Sequence, residues 1–420
     1  MKLPCCFLLS SLFVETNTFH YLNNIRSVHR KNTFYNQYSK DRESTRESPI
    51  KKRRPDDNEI DFGTTLRKCK YSNDYQPAIE LAERALLLRP MPPSILTGVI
   101  KVFGEAGQLG RAVSLLRSMK EDMNVAPNEY HLGALIVACR RCGQWEMAVA
   151  LFNRMDSLNV PKNTIICNNI ISTLGDALQW QAVFEILLEM EKLGIKKDIV
   201  TYSSAITACV KAGEWEHAIT LYRLMQEEGI KANTITLNAA LSACARGRQV
   251  KLALDLFSEA ARRGIITDTI SYSVVIKVCG DINEFDVALL LFEAMGERGG
   301  TESTVLSHDK SVYTIDSFRQ QNSTFQSQFS PEYIASILST CQKVPRDTGC
   351  FNAIVTCCER SGQWRSALSI LSRMGLESES KVLADSKTYS AAISCCGKAG
   401  QWEEAEKLFK AMTEKGKLMY

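Results

Sequence analysis

The chain has 420 residues, of which 45% are apolar and 23% charged, a composition that excludes an intrinsically disordered or low-complexity protein. The net charge is +4, but residues 1–57 carry +5 and the remainder −1. A nearly neutral body excludes a protein that binds nucleic acid mainly by neutralising phosphates. The sustained apolar run within the first fifteen residues is too short to span a bilayer, which argues against an integral membrane protein.

Residues 1–57 have the composition of a targeting leader. Lys2 precedes the apolar run LPCCFLLSSLFV, as in a secretory signal peptide, and residues 16–40 contain basic and hydroxyl side chains without Asp or Glu, as in an organellar transit peptide. This order resembles the bipartite leader of algae whose plastids have extra membranes. A mitochondrial leader and an ordinary N-terminal helix are the alternatives. The basic run 51–54 is interpreted as part of a disordered linker, with a nuclear signal as the alternative.

A period of 35 residues dominates the next part of the chain. Three columns share it: Trp145, Trp180 and Trp215; Cys139, Cys209, Cys244 and Cys279; Met155, Met190, Met225 and Met295. The repeats on this grid are 93–128, 129–163, 164–198, 199–233, 234–268 and 269–303, with a weak repeat at 59–92. The period is lost through 300–347 and returns in 348–385 and 386–420.

Each repeat contains two apolar patterns of helical spacing on either side of a short turn. In 199–233 the first pattern runs from Tyr202 to Cys209 and the second begins at Trp215, after Gly213. Neither helix can bury its apolar stripe alone, so the predicted fold is all-α, a right-handed α-solenoid of stacked helix pairs. The tryptophans that begin the second helices are predicted to wedge between helices.

The predicted organisation has four parts. Residues 1–57 form the leader and linker, 58–303 the first repeat array, 304–347 an irregular segment rich in Ser, Thr and Gln, and 348–420 two C-terminal repeats. In the irregular segment, PEYIASILSTCQKV is one predicted helix. The sequence leaves open whether this segment is a disordered insertion, a degenerate repeat or a partner-binding loop.

Two segments, VTYSSAITACVKAGEWEHAITLYRLMQEEGIKAN (200–233) and KTYSAAISCCGKAGQWEEAEKLFKAMTEKG (387–416), resemble the pentatricopeptide repeat. The resemblance rests on the period, the Thr-Tyr start, the Lys-Ala-Gly turn and the Met-x-x-x-Gly end, and it covers 93–303 and 348–416. The tetratricopeptide repeat, by contrast, usually has glycine in the middle of its first helix, where this chain has Ile136, Ile171 and Ile206.

The resemblance implies a protein that binds single-stranded RNA and reads about one base per repeat. In the family, the fifth residue of a repeat faces the base edge and the last residue supports that contact. The pairs implied here are Thr97 with Asn128, Gly133 with Asn163, Asn168 with Asp198, Ser203 with Asn233, Asn238 with Asp268, and Asn352 with Asp385. Ser273 has no partner in register, and neither has Ser390. Because hydroxyl–Asn pairs resemble adenine readers and Asn–Asp pairs uracil readers, the tract implied for 93–268 is 5′-A-?-U-A-U-3′.

Two further columns are implied by the same resemblance and grid. The second residues Ile165, Val200, Ile235 and Ile270 are expected to pack against base faces. Basic residues end several first helices and are interpreted either as phosphate contacts or as cations placed favourably at a helix C-terminus. They are Arg141, Lys211, Arg246, Arg360 and Lys398, and Glu105, Asp176 and Asp281 interrupt this column.

The fifteen cysteines and five histidines do not form a predicted metal site or disulfide framework. Cys139-x-x-Cys142 has ligand-like spacing but no second pair nearby to complete four ligands. No catalytic or nucleotide-binding motif occurs, and the last repeat ends near Gly416. We therefore expect a protein that is not an enzyme, with no cofactor and no small-molecule substrate.

The expected function is sequence-selective binding of single-stranded RNA in organellar RNA metabolism: transcript stabilisation, processing or translation. An RNA-processing or translation factor is a further expected partner, and no membrane contact is expected of the mature form. One alternative is a protein–protein scaffold that uses the solenoid groove. A second is an RNA-processing nuclease whose catalytic domain is missing from this chain.

Overall fold

The computed structural model describes residues 61–87, 92–121, 123, 125–295, 327–342, 344–374 and 383–417. Within these ranges the regular structure consists of nineteen α-helices. The chain divides into two compact units, 1–212 and 213–420. The predicted leader and linker (1–57) and the first half of the irregular segment (304–326) lie outside the described residues.

The first unit is a series of helix pairs. Its helices are α1 (Phe62–Ser72), α2 (Gln76–Ala85), α3 (Pro93–Glu105), α4 (Leu109–Glu121), α5 (Glu129–Arg141), α6 (Trp145–Ser157), α7 (Thr164–Asp176), α8 (Trp180–Lys192) and α9 (Ile199–Ala212). The first helix of each pair packs on the first helix of the next, α3 on α5, α5 on α7 and α7 on α9. This is the predicted stacking, and the all-α solenoid class is confirmed.

The second unit repeats the arrangement with one interruption. Its helices are α10 (Trp215–Glu227), α11 (Thr234–Arg246), α12 (Val250–Arg262), α13 (Thr269–Asp281), α14 (Phe285–Ala294), α15 (Pro331–Leu338), α16 (Thr348–Ser361), α17 (Trp364–Arg373), α18 (Ser386–Lys398) and α19 (Trp402–Lys417). The first helices α11, α13, α16 and α18 pack on one another in that order.

Side-chain caps fix where the first helices begin. From α5 onwards, the residue before each first helix is an Asn or Asp whose carboxylate or amide oxygen accepts a backbone N–H of the first turn, whereas α3 follows Pro92, which makes no side-chain cap bond. These caps are Asn128, Asn163, Asp198, Asn233, Asp268, Asp347 and Asp385. Because each of these caps immediately precedes the first residue of a repeat, these first helices start where the repeat grid places them.

The apolar columns form the core of the helix pairs. Cys139, Cys209, Cys244 and Cys279 are fully buried in first helices. Met155, Met190 and Met225 are buried in second helices, and Met295 is buried directly after α14. Trp215 lies directly beneath the turn after α11, where a Cβ on Gly247 would come within 2.5 Å of its ring. The tryptophans begin second helices as predicted, although Trp402 in the last described pair is 71% exposed.

The described part of the irregular segment, 327–342 and 344–347, is anchored to the second unit. Helix α15 packs on the second helices α12 and α14. Tyr333 Oη donates to Asp255 Oδ1 at 2.8 Å, and the buried Glu284 accepts from Ser327 Oγ at 2.6 Å and Gln328 N at 3.0 Å. In the part of the chain that is described, no helix is both long and apolar enough to cross a bilayer.

Candidate nucleic-acid interface

The three predicted Asn–Asp pairs have one common geometry. Asn168 Nδ2 donates to Asp198 Oδ1 at 3.1 Å, and Thr201 Oγ1 lies 2.6 Å from Asn168 Oδ1. Asp198 also caps α9, because its Oδ1 accepts the Thr201 backbone N–H at 2.8 Å. One carboxylate therefore starts a helix and holds the amide of the preceding repeat.

The second unit contains this arrangement twice. Asn238 Nδ2 lies 3.0 Å from Asp268 Oδ1, and Ser271 Oγ lies 2.6 Å from Asn238 Oδ1. Asn352 Nδ2 lies 3.1 Å from Asp385 Oδ2, and Thr388 Oγ1 lies 2.5 Å from Asn352 Oδ1. The hydroxyl residue in each case is the third residue of the following first helix.

This geometry fixes the orientation of each asparagine. An ionised carboxylate can only accept, so the amide nitrogen must face the aspartate and the amide oxygen must face the hydroxyl. Burial acts to raise the pKa of Asp198, but hydrogen bonds from Thr201 and Asn168 outweigh it and hold that pKa below its ordinary value. The same balance lowers the pKa of Asp268 and of Asp385. Each oriented asparagine keeps one N–H and one oxygen lone pair for a further partner.

The hydroxyl members of the fifth-residue column adopt a different arrangement. Their side chains donate to carbonyls of their own helix, three or four residues back, and leave their oxygen lone pairs available as acceptors. The bonds are Thr97 to Pro93 O at 3.2 Å, Ser203 to Val200 O at 3.1 Å, Ser273 to Ile270 O at 2.9 Å and Ser390 to Ser386 O at 2.7 Å.

Three of the partners predicted for the hydroxyl and glycine repeats are asparagine caps. Asn128 caps α5 in a reciprocal box with His131, and Asn163 caps α7. Asn233, the predicted partner of Ser203, caps α11. Asn233 belongs to the second unit and Ser203 to the first. Gly133 has no side chain to read a base, and a Cβ built there would meet only Ile166 Cγ1, at 3.8 Å.

The predicted base-packing residues are exposed although they are large and apolar. Ile165 is 70% exposed, Val200 50%, Ile235 67% and Ile270 57%. Tyr130, which is 67% exposed, holds the same second position of the repeat 129–163 and was not among the predicted residues. The grid contains the signal for it, because Tyr130 precedes Ile165 by one 35-residue period.

The basic column is largely engaged in ion pairs between successive first helices. Arg141 lies 2.9 Å from Glu105, Lys211 2.6 Å from Asp176 and Lys398 2.9 Å from Glu359, while Arg360 pairs with Asp281. The acidic residues that interrupt the column are thus its partners. Arg246 makes no ion pair with the residues that the structure describes. Phosphate contact by this column stays a prediction.

The described cysteines are free thiols, and all but Cys142 are buried. Burial raises the pKa of Cys139 to about 12 and that of Cys167 to about 11, so these thiols are protonated at neutral pH. In the described ranges, His, Cys, Asp and Glu nowhere form a group of three that could hold a metal ion. Apart from Cys142, the described cysteines are therefore small core residues.

Comparison with protein-family models places the chain in a class of helical-repeat proteins. The models described as PPR repeat family and PPR repeat match most of the residues between 94 and 416. The matched segments are 94–123, 130–160, 162–211, 197–246, 235–265, 270–300, 349–377 and 387–416. The chain belongs to the pentatricopeptide repeat (PPR) family.

Solved structures of the family are distant relatives. The pentatricopeptide repeat protein PPR10 from maize is 22% identical, with 80% of this chain and 51% of that chain covered and a TM-score of 0.46. PPR10 in complex with an 18-nt psaJ RNA element is 18% identical, with 85% and 59% covered and a TM-score of 0.41. The PPR domain of Arabidopsis thaliana protein-only RNase P 1 in complex with tRNA is 15% identical, with 42% and 93% covered and a TM-score of 0.37.

The chain spans about half the length of the maize PPR10 structure. A search of curated proteins found no match.

Proposed function

We propose that this protein binds single-stranded RNA, reads about one base per repeat and acts without catalysis in organellar RNA metabolism. The observation that carries the proposal is the set of three Asn–Asp pairs, each tied by a hydrogen bond of 3.0–3.1 Å across two repeats. Polar residues that only face solvent do not require an amide held in one orientation, whereas recognition of a base edge does require it.

The free groups of these asparagines are complementary to a uracil edge. Uracil presents one N–H donor between two carbonyl acceptors, and the oriented amide offers one acceptor beside one donor. In Asn238, for example, Asp268 and Ser271 use one N–H and one lone pair, which leaves the other two for the base. The exposed aliphatic residues Ile165, Val200, Ile235 and Ile270 provide flat apolar contacts for base faces.

The proposed target therefore contains 5′-A-?-U-A-U-3′ for repeats 93–268, with a further uracil for Asn352 and Asp385. By occupying such a tract, the protein would protect a transcript, alter its folding or recruit a processing or translation factor. We further propose that residues 1–57 direct it to an organelle, with a complex plastid favoured and a mitochondrion as the alternative. A fluorescent fusion of the full chain tests the location.

The direct test is a gel-shift titration of the full chain with RNA that contains 5′-AUUAU-3′, against a scrambled G/C-rich RNA at the same salt. We expect tighter binding to AUUAU, and we expect Asn168→Ser and Asn238→Ser to weaken it. Base-edge contacts contribute about 1–3 kcal/mol of discrimination, so each change should cost about tenfold. Equal weak binding of both RNAs, unaffected by the substitutions, would contradict the proposal and favour a protein scaffold.

A further inference from the structure

The described part of the irregular segment forms one wall of an open pocket in the second unit. The segment faces the turn between α11 and α12 and the turn between α13 and α14, across a volume of about 650 Å³. The lining includes Arg248, Lys251, Ile282, Phe329, Ser330 and Tyr333. These residues lie in turns, in α12 and in the irregular segment, so the pocket uses none of the base-reading positions of the first helices.

The pocket carries two cations that no acid neutralises. Arg248 and Lys251 are exposed, and neither forms an ion pair with the residues that the structure describes. No Asp or Glu is among the described lining residues. This differs from the turn cations of other repeats, such as Arg141 and Lys398, which are paired with acids. Two free cations at a concave surface favour an anion, and guanidinium and ammonium groups both bind phosphate.

The carboxylates on the neighbouring elements already have partners. Asp255 Oδ1 accepts the Tyr333 hydroxyl at 2.8 Å. The buried Glu284 accepts from Ser327 Oγ at 2.6 Å and from Gln328 N at 3.0 Å. These acids are therefore engaged in holding the irregular segment and do not form ion pairs with the two cations.

Two aromatic side chains give the same pocket a flat apolar surface. The ring centroids of Phe329 and Tyr333 are 5.4 Å apart, and the ring planes are inclined by 31°. The Tyr333 hydroxyl also lies 3.4 Å from the carbonyl of Lys251, which fixes this ring beside the first turn of α12. Aromatic side chains stack on any nucleic-acid base, because every base has a π-face.

Arg248 stands at a turn position where other repeats have glycine. Its φ is 53°, in the left-handed region, and Gly143, Gly213 and Gly362 hold the same turn position with φ of 68°, 90° and 71°. Leu178 is a second non-glycine residue at this position, with φ of 60°. Glycine adopts this conformation most readily. The turn itself therefore does not require the arginine.

We propose that this pocket binds a nucleotide, with its phosphate held by Arg248 and Lys251 and its base stacked on Phe329 and Tyr333. The inference goes beyond the proposed function, because it needs none of the base-reading residues. Phosphate alone would use only the cations, and a nucleoside only the rings. The two rings together offer more face than a single phenyl group covers, which favours a nucleotide over a phosphotyrosine side chain. A free nucleotide and the 5′-phosphorylated end of an RNA share this chemistry.

The test is isothermal titration calorimetry of the full chain with AMP, with adenosine and inorganic phosphate as partial ligands. We expect AMP to bind at least about tenfold more tightly than either partial ligand. Absence of AMP binding would overturn the proposal, as would adenosine or inorganic phosphate that binds as tightly as AMP.

Arg248→Gly is the sharpest variant, because glycine suits the left-handed turn and the fold should persist while the cation is lost. We expect it to weaken AMP binding about tenfold. Leu178→Gly makes the same backbone change in the first unit and is the matched control, which should bind AMP like the original protein. Phe329→Leu keeps an apolar side chain without a ring and should weaken AMP binding by about fivefold or more. Equal AMP affinities of the Arg248→Gly and Leu178→Gly proteins would overturn the site.

A second comparison distinguishes the two sources of the nucleotide. RNAs of one sequence are compared with a 5′-phosphate and with a 5′-hydroxyl. A gain in affinity from the phosphate that Arg248→Gly removes would assign the site to an RNA end, whereas AMP binding without such a gain would assign it to a free nucleotide. A phosphotyrosine peptide that binds more tightly than AMP and the phosphorylated RNA would overturn the proposed ligand.

Failure of this inference is distinguishable from failure of the proposed function. Arg248→Gly should leave the preference for 5′-AUUAU-3′ over the scrambled RNA unchanged, because it alters no base-reading residue. Loss of that preference in the variant would contradict a separate nucleotide site.

Discussion

A single carboxylate performs two tasks in each Asn–Asp pair. Asp268 caps α13 by accepting the Ser271 N–H at 2.8 Å, and it orients the Asn238 amide at 3.0 Å. Replacing such a cap by alanine costs about 1 kcal/mol of stability, so loss of binding after that change would be ambiguous. Asp-to-Asn substitutions separate the two tasks, because they keep the cap and change the partner that orients the asparagine amide.

At the level of single residues, Gly133→Ser should create a base preference where none is expected. The added side chain has room, because the only atom within 4 Å of a Cβ at Gly133 is Ile166 Cγ1, at 3.8 Å. With Asn163 as its partner, the new serine forms the same pair as Ser203–Asn233. We predict that RNAs varied at the second base, bound equally by the original protein, are ranked by the variant with adenine first. Unchanged equal binding would count against the pairing.

We expect His131 to make the stability of the first unit depend on pH. Burial lowers its pKa below the ordinary value of about 6.5, although its hydrogen bond to Pro93 O opposes this. The neutral ring accepts the Asn128 N–H at Nδ1, 3.2 Å away, and donates from Nε2 to Pro93 O at 2.9 Å. Protonation at Nδ1 would place the Nδ1–H and the Asn128 backbone N–H, both donors, opposite each other.

Because the folded pKa is the lower one, the stabilisation is complete above about pH 6.5 and is lost as the pH falls through that value towards the folded pKa. Urea unfolding at pH 7.5 and pH 5.5 measures this loss. Thr201 and Thr236 occupy the same repeat position, so His131→Thr should reduce the difference between the two pH values. An identical pH dependence in both proteins would show that His131 does not cause it.

Among the helices, the close approach of α7 to α9 depends on Gly175. Alanine normally stabilises a helix interior relative to glycine by about 0.5–1 kcal/mol. A Cβ on Gly175 would lie 2.8 Å from Ala208 Cβ, so α7 and α9 would have to move apart. We predict that Gly175→Ala destabilises the protein by about 1–3 kcal/mol, measured by urea unfolding.

Gly133→Ala is the control for this effect, because Gly133 is also in a first helix and a Cβ there would make only an ordinary contact of 3.8 Å with Ile166 Cγ1. It should be neutral or slightly stabilising. If both substitutions stabilise the protein, the close contact between α7 and α9 does not constrain the helix spacing.

The periodic parts of the fold are accessible from sequence, because each cap residue also marks a repeat boundary. Asn128, Asp198 and Asp268 sit where the grid places them, and the helices begin after them. The ion pairs are not accessible in this way: Glu105 and Asp176 interrupt a basic column in the sequence, and their pairing becomes visible only when successive helices are side by side. The 35-residue grid also gives no position to Asp347, the cap of α16, because the irregular segment adds residues before it.

At the scale of the whole molecule, the low net charge of residues 58–420 is more compatible with selective binding than with general affinity for nucleic acid. The body is nearly neutral, and Arg141, Lys211, Arg360 and Lys398 are already paired with acids. If the protein binds RNA as proposed, we therefore expect discrimination to come mainly from base edges. The pair of residues in a repeat, and not overall charge, should thus decide which RNA is bound.

The sharpest experiment exchanges one pair for another that this chain already contains. The double substitution Asn238→Ser with Asp268→Asn reproduces Ser203–Asn233 and keeps a cap for α13, as Asn233 caps α11. Dissociation constants of the full chain are compared for RNAs containing 5′-AUUAU-3′ and 5′-AUUAA-3′. We predict that the original protein prefers the first and the double variant prefers the second, each by about tenfold. The same order of affinities for both proteins would show that the residue pair does not choose the base.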